Sequence, residues 1–217
     1  MTDWEERAAH AAERHDDGAA RLPEAPDERQ RQLTRMGNAA WAAGLSLLML
    51  GRREEAAVWL VRAAERYRES WPDAPPGSWG RPIAAMKARL IAGDLDGARG
   101  DARWALEAGA AKSESPIGRY AAALAHLVRG EGAEAGGLAL ALRARDDFPH
   151  AVADTVMAIS THDTTGYEMA VRALLADFEA RTEFLEDTPV ADTVLALEVL
   201  GIRRGFAVLL RSPLLPA

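Results

Sequence analysis

The sequence contains no cysteine, and β-branched residues are few among its 217 positions. The absence of cysteine excludes disulfide bonds, thiolate metal ligands and thiol nucleophiles. Alanine, leucine and arginine dominate the composition, and they favour helices, whereas sheets are rich in β-branched and aromatic residues. The composition therefore predicts a helical protein.

Long apolar runs are also missing. No stretch approaches the roughly 20 apolar residues that a membrane-spanning helix requires. The N-terminal residues Met1–Glu6 are acidic and contain no apolar run, so the sequence predicts no signal peptide. Together with the missing cysteines, these features lead us to expect a cytoplasmic protein with no membrane partner.

Motifs that carry chemistry are absent as well. The run Gly130–Gly137 has no lysine and no preceding strand, so it does not match a phosphate-binding loop. No serine lies in a Gly-x-Ser-x-Gly turn, and no carboxylate stands out as isolated in an apolar setting. His150 and Asp154 have the spacing to share a metal ion, but two ligands do not make a site. We therefore predict no catalytic residue, no metal and no cofactor.

Positive charge is scarce in the C-terminal part of the chain. Residues 131–217 contain 7 Lys and Arg against 14 Asp and Glu, which accounts for the whole net charge of −7. Nucleic acid is bound by basic patches, so it is not an expected partner. The negative charge serves either to keep the protein soluble or to attract a basic protein partner.

What the chain does contain is a repeated helical hairpin. Residues Asn38–Tyr67 form the clearest copy, in which two arms meet at Gly51. Small residues occupy the positions where the two arms must approach closely, namely Gly44, Ala56 and Ala63. Their spacing is that of a tetratricopeptide-like hairpin.

Two further hairpins repeat this pattern around Gly93 and Gly130. The three turn glycines are 42 and 37 residues apart, so the unit length varies and we predict an irregular solenoid. The predicted fold is all-α, with about ten helices stacked as irregular tetratricopeptide-like hairpins. We expect a single helical-repeat domain over residues 1–217.

Local signals place several helix boundaries. Asp3 and Asp27 are predicted to cap the first two helices. Thr165 and Glu168 match a capping box for a helix over residues 166–184. These signals predict where the first two helices and the penultimate helix begin.

The C-terminal end is predicted from its prolines and glycine. The last helix should begin at Thr188-Pro189 and stop at Gly205. The tail that follows is apolar and contains two prolines. We expect it to pack across the last repeat, because it would otherwise expose a large apolar patch.

Two tryptophans lie in the loop between the first two hairpins. Residues 69–82 contain four prolines and two glycines, which prevent regular structure. Trp71 and Trp79 in this loop have two interpretations. They fold back and plug the repeat groove, since aromatic rings dominate core burial, or they are offered to a protein partner as anchors.

An acidic cluster lies around the end of the penultimate helix. Arg181 is the one cation among its five carboxylates, and Asp177 is spaced one helical turn away to pair with it. The cluster is either a solvated helix face with its loop or a docking surface that steers a basic partner. Its members are Asp177, Glu179, Glu183, Glu186 and Asp187.

Two segments of the chain resemble a known family. One is Ser78–Asp94, a tryptophan-led helix that ends at a Gly-Asp step. The other is the C-terminal run, which comprises Tyr167–Phe184, the apolar final helix Pro189–Leu200, Arg203–Val208 and the tail Ser212–Pro216. Together they resemble the immunity protein 49 family of bacterial polymorphic-toxin systems.

The resemblance implies a helical cytosolic protein that binds and neutralises a toxin domain without catalysis. It carries over no catalytic residues, because blocking a toxin needs only a complementary surface. The expected partner is then a protein, such as a basic toxin domain contacted by Trp71, Trp79 and the acidic cluster. The alternative is a tetratricopeptide-like peptide-binding or scaffolding protein in regulation or assembly, which a groove lined by Asn and Arg side chains would favour.

Overall fold

The computed structural model describes residues 3–217, and these residues form ten α-helices and no β-strand. Two short 3-10 helices lie at Ala110–Lys112 and Leu185–Asp187. The all-α fold with about ten helices is therefore confirmed. The α-helices are α1 Trp4–Ala20, α2 Pro26–Met49, α3 Arg53–Glu69, α4 Gly80–Ala92, α5 Leu95–Glu107, α6 Pro116–Arg129, α7 Gly132–Arg143, α8 His150–Thr161, α9 Thr164–Glu179 and α10 Asp192–Ile202.

Glycine turns the chain between the arms of three hairpins. Gly51, Gly93 and Gly130 have φ angles of 76°, 78° and 84°, which a residue with a Cβ adopts only with strain. Immediately after the second of these turns, the Asp94 carboxylate accepts a hydrogen bond from the N–H of Gly97 at 2.9 Å and caps α5. The turns predicted from the glycine spacing are present.

The start of α2 differs from the prediction. The helix begins at Pro26 with Ala25 as its N-cap, so Asp27 lies inside the first turn. Asp27 instead forms an ion pair of 2.6 Å with Arg31, one turn further along the helix. Proline suits the first turn because the N–H that it lacks has no acceptor there. Pro26 therefore sets the start of this helix.

The predicted capping box of α9 is wrong, and the helix is shorter than expected. Asp163 caps it by accepting a hydrogen bond from a first-turn N–H at 2.9 Å, whereas Thr165 and Glu168 do not. The helix ends at Glu179. Continuing it would place Glu183 one turn from Glu179, where two like charges repel each other.

The last helix is also shorter than predicted. It spans Asp192–Ile202, whereas Pro189 and Gly205 were the expected limits. The segment before it is held by the tail, because the N–H of Ala191 donates a hydrogen bond to the carbonyl oxygen of Leu214 at 2.9 Å. Because Ala191 is bonded to the tail, α10 begins only at the next residue.

Consecutive helices pack against each other along the whole chain. Helices α4, α6 and α8 also contact one another in series, so these three helices form the inner row of the stack. The first hairpin is closest at Gly44, where an added Cβ would lie 2.7 Å from Cγ of Leu60 and 3.1 Å from the backbone oxygen of Ala56. The small residues identified in the sequence thus lie at the helix–helix contact.

Helix α10 lies on the inner row, against α4 and α8, and also contacts α9. It fills the groove that the hairpins form. The tail then covers the last repeat, with Leu215 buried and the ring of Phe206 centred 4.9 Å from that of Tyr167. The tail packs as predicted only in part, because the large side chain of Leu209 is 73% exposed and Ala207 and Pro213 are exposed as well.

Replacing Gly44 with alanine should destabilise the first hairpin. The added Cβ meets Leu60 and the backbone of Ala56, and the packed helices cannot separate freely. We expect the free energy of unfolding to fall by about 1–3 kcal/mol, measured by urea denaturation. Gly137→Ala is the control, because Gly137 is exposed on α7 with open space around it. Alanine there should stabilise the helix by up to about 1 kcal/mol, and an equal effect at both sites would contradict the close packing at Gly44.

Candidate functional site

The inner groove is closed by an ion pair as well as by apolar contacts. Lys87 on α4 donates to the carboxylate of Asp192 at 2.7 Å and to the hydroxyl of Thr193 at 2.9 Å, both at the start of α10. The side chains of Lys87 and Asp192 are only 12% and 18% exposed. Partial burial strengthens the attraction between these charges. The basic side chain that could have bound a peptide in the groove is therefore neutralised by the chain itself.

The two loop tryptophans lie together. The rings of Trp71 and Trp79 are centred 5.5 Å apart, and Trp71 also meets Trp104 of α5 edge-on at 5.5 Å. The indole of Trp79 lies beside Gly118 of α6, where an added Cβ would be 2.9 Å from Nε1. Both tryptophans are half-buried. The groove itself is filled by α10.

Two members of the acidic cluster are held by α1. Glu186 forms an ion pair of 2.6 Å with Arg14, and the carbonyl oxygen of Asp187 accepts a hydrogen bond from Arg7 at 2.5 Å. Glu186 and Asp187 have φ angles of 56° and 52°, a backbone conformation that costs energy for residues other than glycine. These contacts join the segment before α10 to the N-terminal helix.

The other three members lie apart from that contact. Glu179 accepts a hydrogen bond from the hydroxyl of Ser212 at 2.7 Å, while Asp177 and Glu183 are exposed. The expected pair between Asp177 and Arg181 is absent, because the guanidinium of Arg181 lies 3.6 Å from the ring centre of Phe178. The five residues therefore differ in their surroundings: two contact α1, one contacts the tail and two are exposed.

His150 and Asp154 share an arginine. Arg143 lies 2.7 Å from the carboxylate of Asp154 and 3.1 Å from Nδ1 of His150. No group of three or more metal-binding side chains is present among residues 3–217. Over the same range, no helix combines the length and the apolarity needed to cross a membrane.

A cavity of about 320 Å³ lies beside α10, between this helix, the tail and the ends of α2 and α4. Two residues at its edge, Ile202 and Leu209, are 64% and 73% exposed. Glu198 and Arg53 are the charged residues of its lining. The remaining lining is apolar and consists of Leu48, Ile91, Leu195, Val199, Ile202, Val208, Leu209, Leu210, Leu215 and Pro216.

Glu198 is a carboxylate isolated in an apolar setting, which corrects the expectation that the chain has none. No ion pair or hydrogen bond within residues 3–217 reaches its side chain, and burial raises its pKa above the ordinary glutamate value. Its charge adds to the effect of burial in raising the pKa of Tyr167. The sequence carries a signal for it, because Glu198 is the one charged residue between Thr193 and Ile202.

This cavity is the best candidate for a binding site. Cavities with apolar walls and a few polar groups bind ligands, and a carboxylate with a raised pKa marks functional sites more often than ordinary surface. The exposed aliphatic residues at its edge add apolar surface that a partner would cover. The cavity therefore has the chemistry for binding a ligand or a protein partner.

Comparison of the chain with protein-family models, with curated proteins and with solved structures found no match. The resemblance to the immunity protein 49 family therefore stays a prediction.

Removing the ammonium group of Lys87 should loosen the C-terminal segment. Lys87→Met keeps an unbranched side chain but leaves Asp192 partly buried without its partner, so we expect a loss of about 1.5–3 kcal/mol in the free energy of unfolding. Hydrogen exchange of the α10 amides should accelerate. Arg172→Met is the control, because it breaks an exposed pair with Glu168 worth at most about 0.5 kcal/mol. Equal effects of the two substitutions would contradict a stabilising role of the ion pair between Lys87 and Asp192.

Glu198→Gln should stabilise the protein at neutral pH. A carboxyl group with a raised pKa in the folded state costs stability once it ionises, so the variant should unfold at higher urea concentration at pH 7. The difference should shrink as the pH falls through the raised pKa and vanish below the unfolded value of about 4.3. Glu134→Gln, at an exposed position of α7, should show no such trend. A flat difference for Glu198→Gln would contradict the desolvated carboxylate.

Proposed function

We propose that this chain is an immunity protein that neutralises a cognate bacterial toxin by binding it in the cytoplasm. The observation that carries the proposal is the cavity beside α10, with an unpaired carboxylate and exposed aliphatic residues at its edge. Such surface lowers the stability of the free protein and gains favourable contacts only when a partner covers it. The resemblance of the segments around residues 78–94 and 167–216 supplies the kind of partner.

The filled groove supports this proposal over the scaffolding alternative. Tetratricopeptide-like scaffolds that take up a peptide need a free inner surface with polar side chains. Here α10 lies on that surface, and Lys87 and Asn38 are bonded to Asp192 and Tyr67 of the same chain. A peptide would have to displace an apolar helix, whose exposure to water costs free energy.

The distribution of charge supports a basic partner. The acid-biased C-terminal part, residues 131–217, contains the cavity carboxylate and the exposed residues Asp177 and Glu183. Charge of one sign steers an oppositely charged partner towards the surface and speeds association. Neutralisation of a toxin requires no more than such a surface placed over the toxin's own site.

The proposal predicts one stoichiometric partner that is toxic on its own. The intact chain is tagged in its own host, and a protein recovered in equal amount is then expressed with and without it in a susceptible strain. We expect growth to stop when the partner is expressed alone and to recover when this chain is present. The partner should also bind this chain far more tightly than an unrelated basic protein does.

Two results would overturn the proposal. One is a partner that is harmless alone, or whose toxicity this chain does not relieve. The other is an affinity for the partner no greater than that for the unrelated basic protein, because general charge attraction would then explain the binding. A mixture of many clients would favour the scaffolding alternative.

A further inference from the structure

Among residues 3–217, other buried or half-buried carboxylates pair with cations, as Asp101 and Asp192 show. Asp101 is 1% exposed and is bound by Arg68 at 3.0 Å and Arg89 at 2.8 Å. Asp192 is bound by Lys87. Glu198 has no such cation, although burial disfavours its ionised form. Within the described residues, Glu198 is thus a half-buried carboxylate that has no cation beside it.

Arg53 does not supply the missing charge. It lines the same cavity, but among residues 3–217 it forms no salt bridge, so its guanidinium lies more than 4.0 Å from the carboxylate of Glu198. Arg53 is exposed and remains hydrated, whereas the carboxylate of Glu198 has lost part of its hydration. The carboxylate of Glu198 therefore gains more from a bound cation than Arg53 would gain from a bound anion.

The size and walls of the cavity limit what can bring that charge. A volume of about 320 Å³ lies at the lower end of ligand pockets, which span roughly 300–1,000 Å³. Leu195 and Val199 stand on α10 on either side of Glu198 in sequence, and both line the cavity. A single long side chain with an aliphatic stem and a cationic end matches these walls.

We propose that this cavity receives a basic side chain of the toxic partner. The cationic end pairs with Glu198, and the stem packs on Leu195, Val199 and Leu210. Ile202 and Leu209, exposed at the edge, are then covered by the apolar surface around the inserted side chain. This inference rests on the proposed function, because it identifies the surface through which the toxin is held.

The chemistry of the cavity can be tested without the partner. The full chain, labelled with ¹⁵N, is titrated with n-hexylammonium, n-hexanol and n-hexanoate while its amide signals are followed. We expect hexylammonium to bind about tenfold or more tightly than hexanol, because a charge-assisted bond forms at Glu198. The shifts should centre on residues 195–199 and 208–210, and hexanoate should bind most weakly.

Glu198→Gln and Glu134→Gln provide the matched pair of variants for this titration. The two changes remove the same charge, but only the first lies in the cavity. Glu198→Gln should abolish the preference for the ammonium compound, while Glu134→Gln should leave it intact. No binding of hexylammonium, stronger binding of hexanoate, or an unchanged preference in Glu198→Gln would overturn the inference.

The same two variants separate this inference from the proposed function. With the toxic partner in hand, Glu198→Gln should weaken the complex by about tenfold or more, and Glu134→Gln should not. If growth rescue and affinity are both unchanged by Glu198→Gln, the cavity is not the toxin surface while the immunity function stands. If the captured partner is not toxic, the immunity function fails whatever the amine titration gives.

Discussion

The apolar character of α10 is the constraint on which the rest of the molecule depends. From Val194 to Ile202 the helix has one charged residue, and its apolar side chains point in every direction. Such a helix needs cover on all sides, and a flat row of hairpins offers only one face. Helices α4, α8 and α9 provide much of this cover, and the tail lies beside the helix as well. A groove that could have been open is thereby used as core.

Many charged side chains of this fold form salt bridges within the molecule. Partly buried acids are matched by arginine or lysine, as at Asp101 and Asp192, and the segment before α10 is fastened to α1 by Arg14. Paired charges of this kind fix geometry more than they add stability, since desolvation offsets much of their attraction. Glu198 departs from that pattern, because no cation pairs with its carboxylate. The cavity beside it is therefore the place where a positive charge from a partner would bind most favourably.

The repeat units could be predicted from the sequence because their signals are local. Gly51, Gly93 and Gly130 each mark a turn, and Gly44 marks a close helix contact. The position of α10 could not be predicted, because its place in the groove depends on residues more than a hundred positions away. The boundary missed at α2 reflects the preference of Pro26 for the first helical turn, and the boundary missed at α9 reflects capping by Asp163 in place of Thr165. The cavity was missed for the same reason as α10, although a lone glutamate in an apolar helix was visible.

The contact between α1 and the segment at Glu186 changes what kind of repeat protein this is. In an open array each unit touches only its neighbours, so units can be gained or lost at little cost. Here the segment after α9 contacts α1. The distance between α1 and this segment depends on the number of hairpins that lie between them. Insertion or loss of one hairpin would separate Glu186 from α1 and expose α10. The architecture is repetitive, but this contact joins two helical segments that lie far apart in the sequence.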